Sequence, residues 1–236
     1  MNEVLERLRR GLIVSCQVNT DEPEFYIRCG RIYLFRRRFV LAMAKAAEIG
    51  GAKGVRIEGI DNIRTVKRCV GLPVIGLVKR RYRNYSVYIT PTLRDVIKVI
   101  EAGAEIVAVD ATKRRRPGKV SLKDIVKKVK TSYDVILLAD VSTLHEGIIA
   151  EKIGFDAVAT TLAGYTSYSK PRKGPSIRLV KHLSRTLKVP VIAEGRIKTI
   201  NDVRKAFNSG AHAVVIGTAI TRPYKVIRDI VSLIRK

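Results

Sequence analysis

The sequence predicts a (β/α)8 TIM barrel preceded by a short N-terminal helix, with residues 1–236 forming one domain. Three observations lead there. A pattern of helix end, glycine and small or apolar residue entering a strand occurs four times, at Gly51-Ala52, Gly103-Ala104, Gly154-Phe155 and Gly210-Ala211, with glycines 52, 51 and 56 residues apart. A second set of apolar runs falls between these copies, at 11–15, 72–76, 134–138 and 189–193. The two sets interleave into eight short apolar strands separated by stretches of helical period, the pattern of a parallel sheet buried on both faces. Eight such units in about 225 residues suit a barrel; an open doubly wound sheet more typically has five or six strands, and no GxGxxG follows the first strand here.

Taken in order, residues 1–10 read as a helix that caps the bottom of the barrel. The first strand leaves Gly11 and ends at Cys16-Gln17. Pro73 and Pro190 mark entries to the third and seventh strands, where a missing N–H costs nothing. Helical periodicity covers 92–103, 121–132, 142–154, 175–187 and 199–210. Four of these open on capping-box spacings: Thr92 with Asp95, Ser121 with Asp124, Thr143 with Glu146, Thr199 with Asp202. The repeated glycines stand where a helix ends in the left-handed conformation.

Composition narrows the function classes. The chain is 46% hydrophobic and 28% charged, which is globular rather than disordered. No apolar run approaches the ~18–20 residues of a membrane span, and MNEVLERLRRG has no signal-peptide core. Three cysteines, Cys16, Cys29 and Cys69, cannot all pair with one another and form no CxxC, which points to a reducing cytoplasmic setting. Lys and Arg number 46 against 21 Asp and Glu, a net charge of +25 that suits a polyanion, small anions or simply a basic surface.

Chemistry in a barrel of this kind sits at the carboxyl ends of the strands. Those ends carry Cys16-Gln17, Arg56, Lys79, Asp110, Asp140, Thr160-Thr161, Glu194-Gly195-Arg196 and Gly217-Thr218. Lys79 and Glu194 close otherwise apolar strands, PVIGLVK and PVIAEG. A lysine at such an edge is partly desolvated, which lowers its pKa toward that of a useful base; a structural ion pair with Glu194 is the alternative. Gly195-Arg196 and Gly217-Thr218, with Arg222 close by, lie at the ends of strands 7 and 8, where backbone N–H groups and a short helix bind phosphate in many barrels; tight rim packing is the alternative. No metal is expected: His145, His182 and His212 are scattered away from strand ends, and Asp110 and Asp140 suit hydrogen bonding better than a cation. No cofactor motif or Ser-His-Asp arrangement is present. A base, an acid, a phosphate cradle and polar groups suit proton transfer at a carbon next to a carbonyl of a phosphorylated metabolite.

Nearly the whole chain resembles the N-acylmannosamine-6-phosphate 2-epimerases. The matching segments are GLIVSCQ (11–17), GVRIEGI (54–60), LPVIGLVKR (72–80), VYITPT (87–92), AVDATKRRRP (108–117), LLADVST (137–143), FDAVATTLAGYT (155–166), PVIAEGRI (190–197) and AVVIGTAITRP (213–223). The resemblance implies inversion of C2 of N-acetylmannosamine 6-phosphate, without metal or nucleotide, in sialic acid breakdown. It implies Lys79 and Glu194 as the catalytic pair, Gln17, Arg56 and Asp140 as sugar ligands, and Gly195, Arg196, Gly217, Thr218 and Arg222 around the phosphate. Thr161 and Tyr165 fall in a loop that would cover the sugar.

Segment 24–38 is more aromatic and basic than the family pattern, which bears on loop shape and on a homodimer contact there. Another phosphate-binding barrel lyase or synthase is the second functional reading. A nucleic-acid binder, prompted by Arg36-Arg37-Arg38 and Arg114-Arg115-Arg116, is the third; it lacks any RRM, KH or helix-turn-helix signature, so no nucleic-acid partner is expected. The expected mouth loops hold 21 Lys or Arg against 7 Asp or Glu, more than half of the excess charge on the face where a sugar phosphate arrives.

Overall fold

The structure, a computed structural model, describes residues 2–17, 35–118 and 120–234. Cys29 and residues 24–34 of the aromatic, basic segment, with the homodimer contact expected there, lie outside the described residues.

Eight parallel strands close into a barrel in sequence order. They are β1 (Leu12–Cys16), β2 (Gly54–Glu58), β3 (Val74–Leu77), β4 (Ile106–Asp110), β5 (Ile136–Asp140), β6 (Ala157–Ala159), β7 (Val191–Glu194) and β8 (Ala213–Ile216). The helices between them are α2 (Phe35–Ile49), α3 (Ile60–Cys69), α4 (Leu93–Glu101), α5 (Leu122–Ser132), α6 (Leu144–Ile153), α7 (Ile177–Thr186) and α8 (Ile200–Asn208). Helix α1 (Glu3–Arg7) precedes the barrel, and α9 (Thr218–Thr221) and α10 (Pro223–Ile234) follow it.

The local signals are realised in detail. Thr92, Ser121, Thr143 and Thr199 each accept the backbone N–H three residues ahead, satisfying donors that the first helical turn would otherwise leave open. The four repeat glycines all have positive φ, from +80° at Gly51 to +105° at Gly154, a conformation costly for any residue with a Cβ.

Strand periodicity divides the core in two. Val55, Ile57, Val107, Val109, Leu137 and Ala139 face outward and pack under the helices. Ile13, Ile75, Leu77, Ile106, Leu138 and Ile192 face inward and fill the barrel. Leu5 and Leu8, on and just after α1, join the inward cluster, so the first helix closes the floor. His212 Nε2 stands 2.7 Å from the Leu5 carbonyl and ties that helix to β8. With the floor apolar and closed, the polar residues on the inner face of the barrel lie toward its carboxyl end. Among the described residues no helix is long and apolar enough to cross a membrane.

Candidate active site

Counting by twos along each strand brings polar residues to the inner face only at its carboxyl end. On β3 the series Ile75, Leu77, Lys79 leads from core to mouth; on β5 it is Ile136, Leu138, Asp140; on β7 it is Ile192, Glu194. Arg56 occupies the same level on β2, paired in register with Ser15 of β1 and Ile75 of β3.

Arg56 is the hub. Nη2 donates to Asp140 Oδ2 at 2.5 Å, and Nη1 donates to Asp140 Oδ1 at 3.1 Å and to Glu194 Oε2 at 2.8 Å. Only 1% of the Arg56 side chain is exposed and none of Asp140. The two carboxylates hold the guanidinium charged well above its usual pKa, against the cost of burial. Thr161 Oγ1 lies 2.6 Å from Asp140 Oδ1 and 3.1 Å from Glu194 Oε2. Burial, with the Asp140 charge adding to it, raises the Glu194 carboxyl to about 7 against the opposing pull of Arg56.

Lys79 lies beyond the last residue of β3. Residues 80–88 run out from the barrel and return, so that Lys79 forms an antiparallel bridge with Ile89. The Arg80 N–H donates to Tyr88 O (2.9 Å), Thr90 to Val78 O (2.8 Å) and Asp110 to Ile89 O (3.1 Å), stitching the returning chain between β3 and β4. Lys79 is open to the cleft rather than covered by packed side chains. Desolvation by the cleft walls is still the largest influence on its ammonium, and Arg222 and Arg56 add to it; they lower its pKa against the attraction of Glu58 and Glu194.

At the ends of β7 and β8 the chain turns tightly. Gly195 and Arg196 have φ of +106° and +58°. Gly217 packs so closely on β1 that an added Cβ would lie 3.3 Å from Ser15 Cβ, and Thr221 donates to the Ser15 carbonyl at 2.9 Å, fixing α9 over the strand. The Arg196 guanidinium donates to Ala163 O (2.8 Å) and Gly164 O (3.3 Å) and stacks on Tyr165 at 3.8 Å from the ring centre. Its side chain therefore clamps the loop after β6, leaving its backbone at the turn.

These groups surround one cavity of about 320 Å³ at the mouth of the barrel. Gln17, Arg56, Lys79, Thr161, Tyr165, Glu194, Gly195, Arg196, Gly217, Thr218 and Arg222 all line it. Asp140 does not; it stands behind Arg56 and Thr161. Sequence reasoning missed three polar lining residues, Ser15, Tyr88 and Lys198. Ser15 was discoverable by strand parity, two residues before Gln17, whose amide donates to it at 3.0 Å. Tyr88 required knowledge that the 80–88 excursion folds back; burial, with Asp140 and Asp110 near, raises its phenol pKa.

Asp110 is not a cavity residue. Arg114 Nη2 donates to its Oδ2 at 2.5 Å, Thr112 Oγ1 to its Oδ1 at 2.7 Å, and Arg116 Nη2 to its carbonyl at 2.6 Å. Two members of the Arg114-Arg115-Arg116 run thus face inward and brace the loop, which removes them from any phosphate-contacting surface. Among the described residues no group of three His, Cys, Asp or Glu converges on a point. His145 and His182 lie on α6 and α7, and His212 enters β8 from below.

A closed parallel barrel with charged side chains converging at its carboxyl mouth defines an enzyme of the (β/α)8 class. Comparisons with known proteins narrow this. Residues 40–236 match the family model NanE, described as "Putative N-acetylmannosamine-6-phosphate epimerase". A "Putative N-acetylmannosamine-6-phosphate 2-epimerase" from Caldanaerobacter subterraneus subsp. tengcongensis is 49% identical over 236 residues, covering 99% of this chain and 95% of the relative. One of the same description from Clostridium perfringens is 41% identical over 98% of this chain and all of the relative. The solved structure of the N-acetylmannosamine-6-phosphate 2-epimerase from Clostridium perfringens superposes with a TM-score of 0.90 at 40% identity, covering 98% of this chain and 96% of that one. The chain belongs to the N-acetylmannosamine-6-phosphate epimerase family and is a carbohydrate epimerase, an isomerase.

Proposed function

We propose that this protein inverts C2 of N-acetylmannosamine 6-phosphate to give N-acetylglucosamine 6-phosphate, with Lys79 and Glu194 as the proton-transfer pair. The observation that carries this is the placement of Lys79 and Glu194 on opposite walls of one cavity with oppositely shifted pKa values. Three strands separate β3 from β7 in either direction around the closed barrel. A sugar held between them meets one group on each face.

In the open-chain sugar the C1 aldehyde acidifies the C2 proton. Neutral Lys79 takes that proton, and the C2–H electron pair moves into a C1–C2 double bond, leaving negative charge on the C1 oxygen. Protonated Glu194 returns a proton to the opposite face of C2 as the carbonyl re-forms. The lowered lysine and raised carboxyl pKa values favour these two forms. Afterwards Lys79 is charged and Glu194 ionised, which is the state the reverse reaction needs, so one proton shared by the pair serves both directions.

The phosphate sits at the turns of Gly195-Arg196 and Gly217-Thr218, with Arg222 and Lys198 on the same wall. Gln17 and Tyr165 face the sugar, while Asp140 acts through Arg56. Arg56 already bridges Asp140 and Glu194 as a fixed cation, which supports a reaction that needs neither metal nor cofactor. The excess positive charge of the mouth loops would draw in a dianionic sugar phosphate.

In the cell the reaction belongs to amino sugar and sialic acid breakdown in the cytoplasm, a setting supported by the free thiols of Cys16 and Cys69. A homodimer is part of this proposal; its support is the bare apolar side of α10, where Ile227, Ile230 and Ile234 are exposed. The reaction is tested by incubating the protein with N-acetylmannosamine 6-phosphate in deuterated water and following C2 by NMR. Deuterium is expected at C2 of both epimers, and Lys79→Ala is expected to slow exchange roughly 10²–10⁴-fold. Undiminished exchange in Lys79→Ala would refute the role of Lys79, and no exchange in the unaltered protein would refute the activity.

A further inference from the structure

We propose that Thr161 is a positioning residue that keeps the proton of Glu194 in place, rather than a ligand of the sugar; this rests on the acid role given to Glu194 above. A threonine hydroxyl carries one hydrogen. Thr161 Oγ1 stands within reach of two carboxyl groups, 2.6 Å from Asp140 Oδ1 and 3.1 Å from Glu194 Oε2. The shorter contact takes the hydrogen, so Thr161 donates to Asp140. The longer one then sets a lone pair of the threonine against Glu194 Oε2. Two lone pairs at that distance repel, and the contact is attractive only when Oε2 bears a proton.

The neighbouring donors complete the count. Arg56 gives Asp140 two hydrogen bonds and Glu194 one. The charged groups facing Glu194 are Arg56 from β2, Lys79 from beyond β3 and Asp140 from β5. Both Thr161 contacts are satisfied by an ionised Asp140 and a relay in which Glu194 donates to Thr161 and Thr161 donates to Asp140. Burial and the Asp140 charge, not Thr161, are what push the Glu194 carboxyl up to about 7. The preceding residue fixes the geometry: Thr160 Oγ1 donates to the Glu194 carbonyl at 2.9 Å and accepts its N–H at 3.0 Å. One threonine holds the backbone of the acid and the next its carboxyl.

Infrared difference spectra of the free protein, recorded across pH 5–9 with Glu194→Gln to assign the band, read the proton directly. A protonated-carboxyl band from Glu194 is expected on the acid side, fading through about 7. In Thr161→Val, or Thr161→Ala where valine does not fold, the midpoint is expected to fall by about one pH unit, and Thr161→Ser is expected to restore it. A midpoint that rises in the hydroxyl-less variants means that Thr161 donates to ionised Glu194, and overturns the proposal; an unmoved midpoint, or no Glu194 band in the unaltered protein, does the same. The spectra need no substrate, so absent epimerisation counts against the reaction alone and leaves this result standing.

Discussion

Arg56 and Asp140 form a two-pronged ion pair inside the barrel, at 2.5 and 3.1 Å, that solvent barely touches. The pair stretches from β2 to β5 beneath the site, and Nη1, shared between Asp140 Oδ1 and Glu194 Oε2, also orients Glu194. Removing one member of a buried pair strands the other charge. Asp140→Ala is therefore expected to destabilise the fold by about 3–5 kcal/mol, with Asp140→Asn costing less because two hydrogen-bond acceptor sites on its amide oxygen survive. Urea unfolding of the three proteins checks this; an Asp140→Ala value within ~1 kcal/mol of the unaltered protein would show the pair to be energetically idle.

The rate of epimerisation should trace a bell against pH. The working pair holds one proton. On the acid side Glu194 and Lys79 are both protonated and no base remains. Above the lowered pKa of Lys79 both have lost their protons and no acid remains. Since both directions use the same singly protonated pair, profiles of kcat/KM for the two epimers should share their limbs. Steady-state assays in each direction test this, and limbs that differ between epimers would separate Glu194 from the second proton transfer.

Much of this site was legible before any coordinates. The repeat of glycine and apolar strand predicts the barrel, and the barrel tells which residues face its mouth; Lys79 and Glu194 stand out as charges ending apolar runs. What stayed hidden is lateral. Periodicity shows that Arg56 points inward but not that it is spent on Asp140 and Glu194, because partners on strands 2, 5 and 7 meet only after closure. Likewise Arg196 stands at a turn where the sequence leads one to expect phosphate, yet its guanidinium faces the preceding loop. The return of residues 80–88, which brings Tyr88 to the cavity, depends on backbone pairing with β3 that no side-chain pattern encodes.

Glu194 should also leave a mark on stability. Its folded pKa, about 7, lies above the usual 4.5, so the folded state binds more protons than the unfolded chain between those values. The sign follows from linkage. The contribution is fully present below the unfolded pKa and is lost as pH rises through about 7. The loss amounts to something on the order of 3 kcal/mol. Glu194→Gln cannot titrate, so the stability difference between the two proteins should change with pH in that window. Parallel curves from pH 4 to 8 would refute the raised pKa.

The clamp between Arg196 and Tyr165 predicts a separation of backbone from side chain. Arg196 has φ of +58°, a conformation glycine adopts freely, so Arg196→Gly keeps the turn while deleting the guanidinium. Two hydrogen bonds to the loop after β6 and one ring contact disappear with it. Amide exchange across residues 163–169 should accelerate roughly five- to thirtyfold, the equivalent of about 1–2 kcal/mol. Inorganic phosphate, which the proposal seats on the backbone of this turn, should bind Arg196→Gly nearly as well as the unaltered protein. Tyr165→Ala should loosen the same amides, and the double variant should do little more than either single one, since both remove the same clamp. Phosphate binding lost in Arg196→Gly with the loop unchanged would instead assign the guanidinium to the anion.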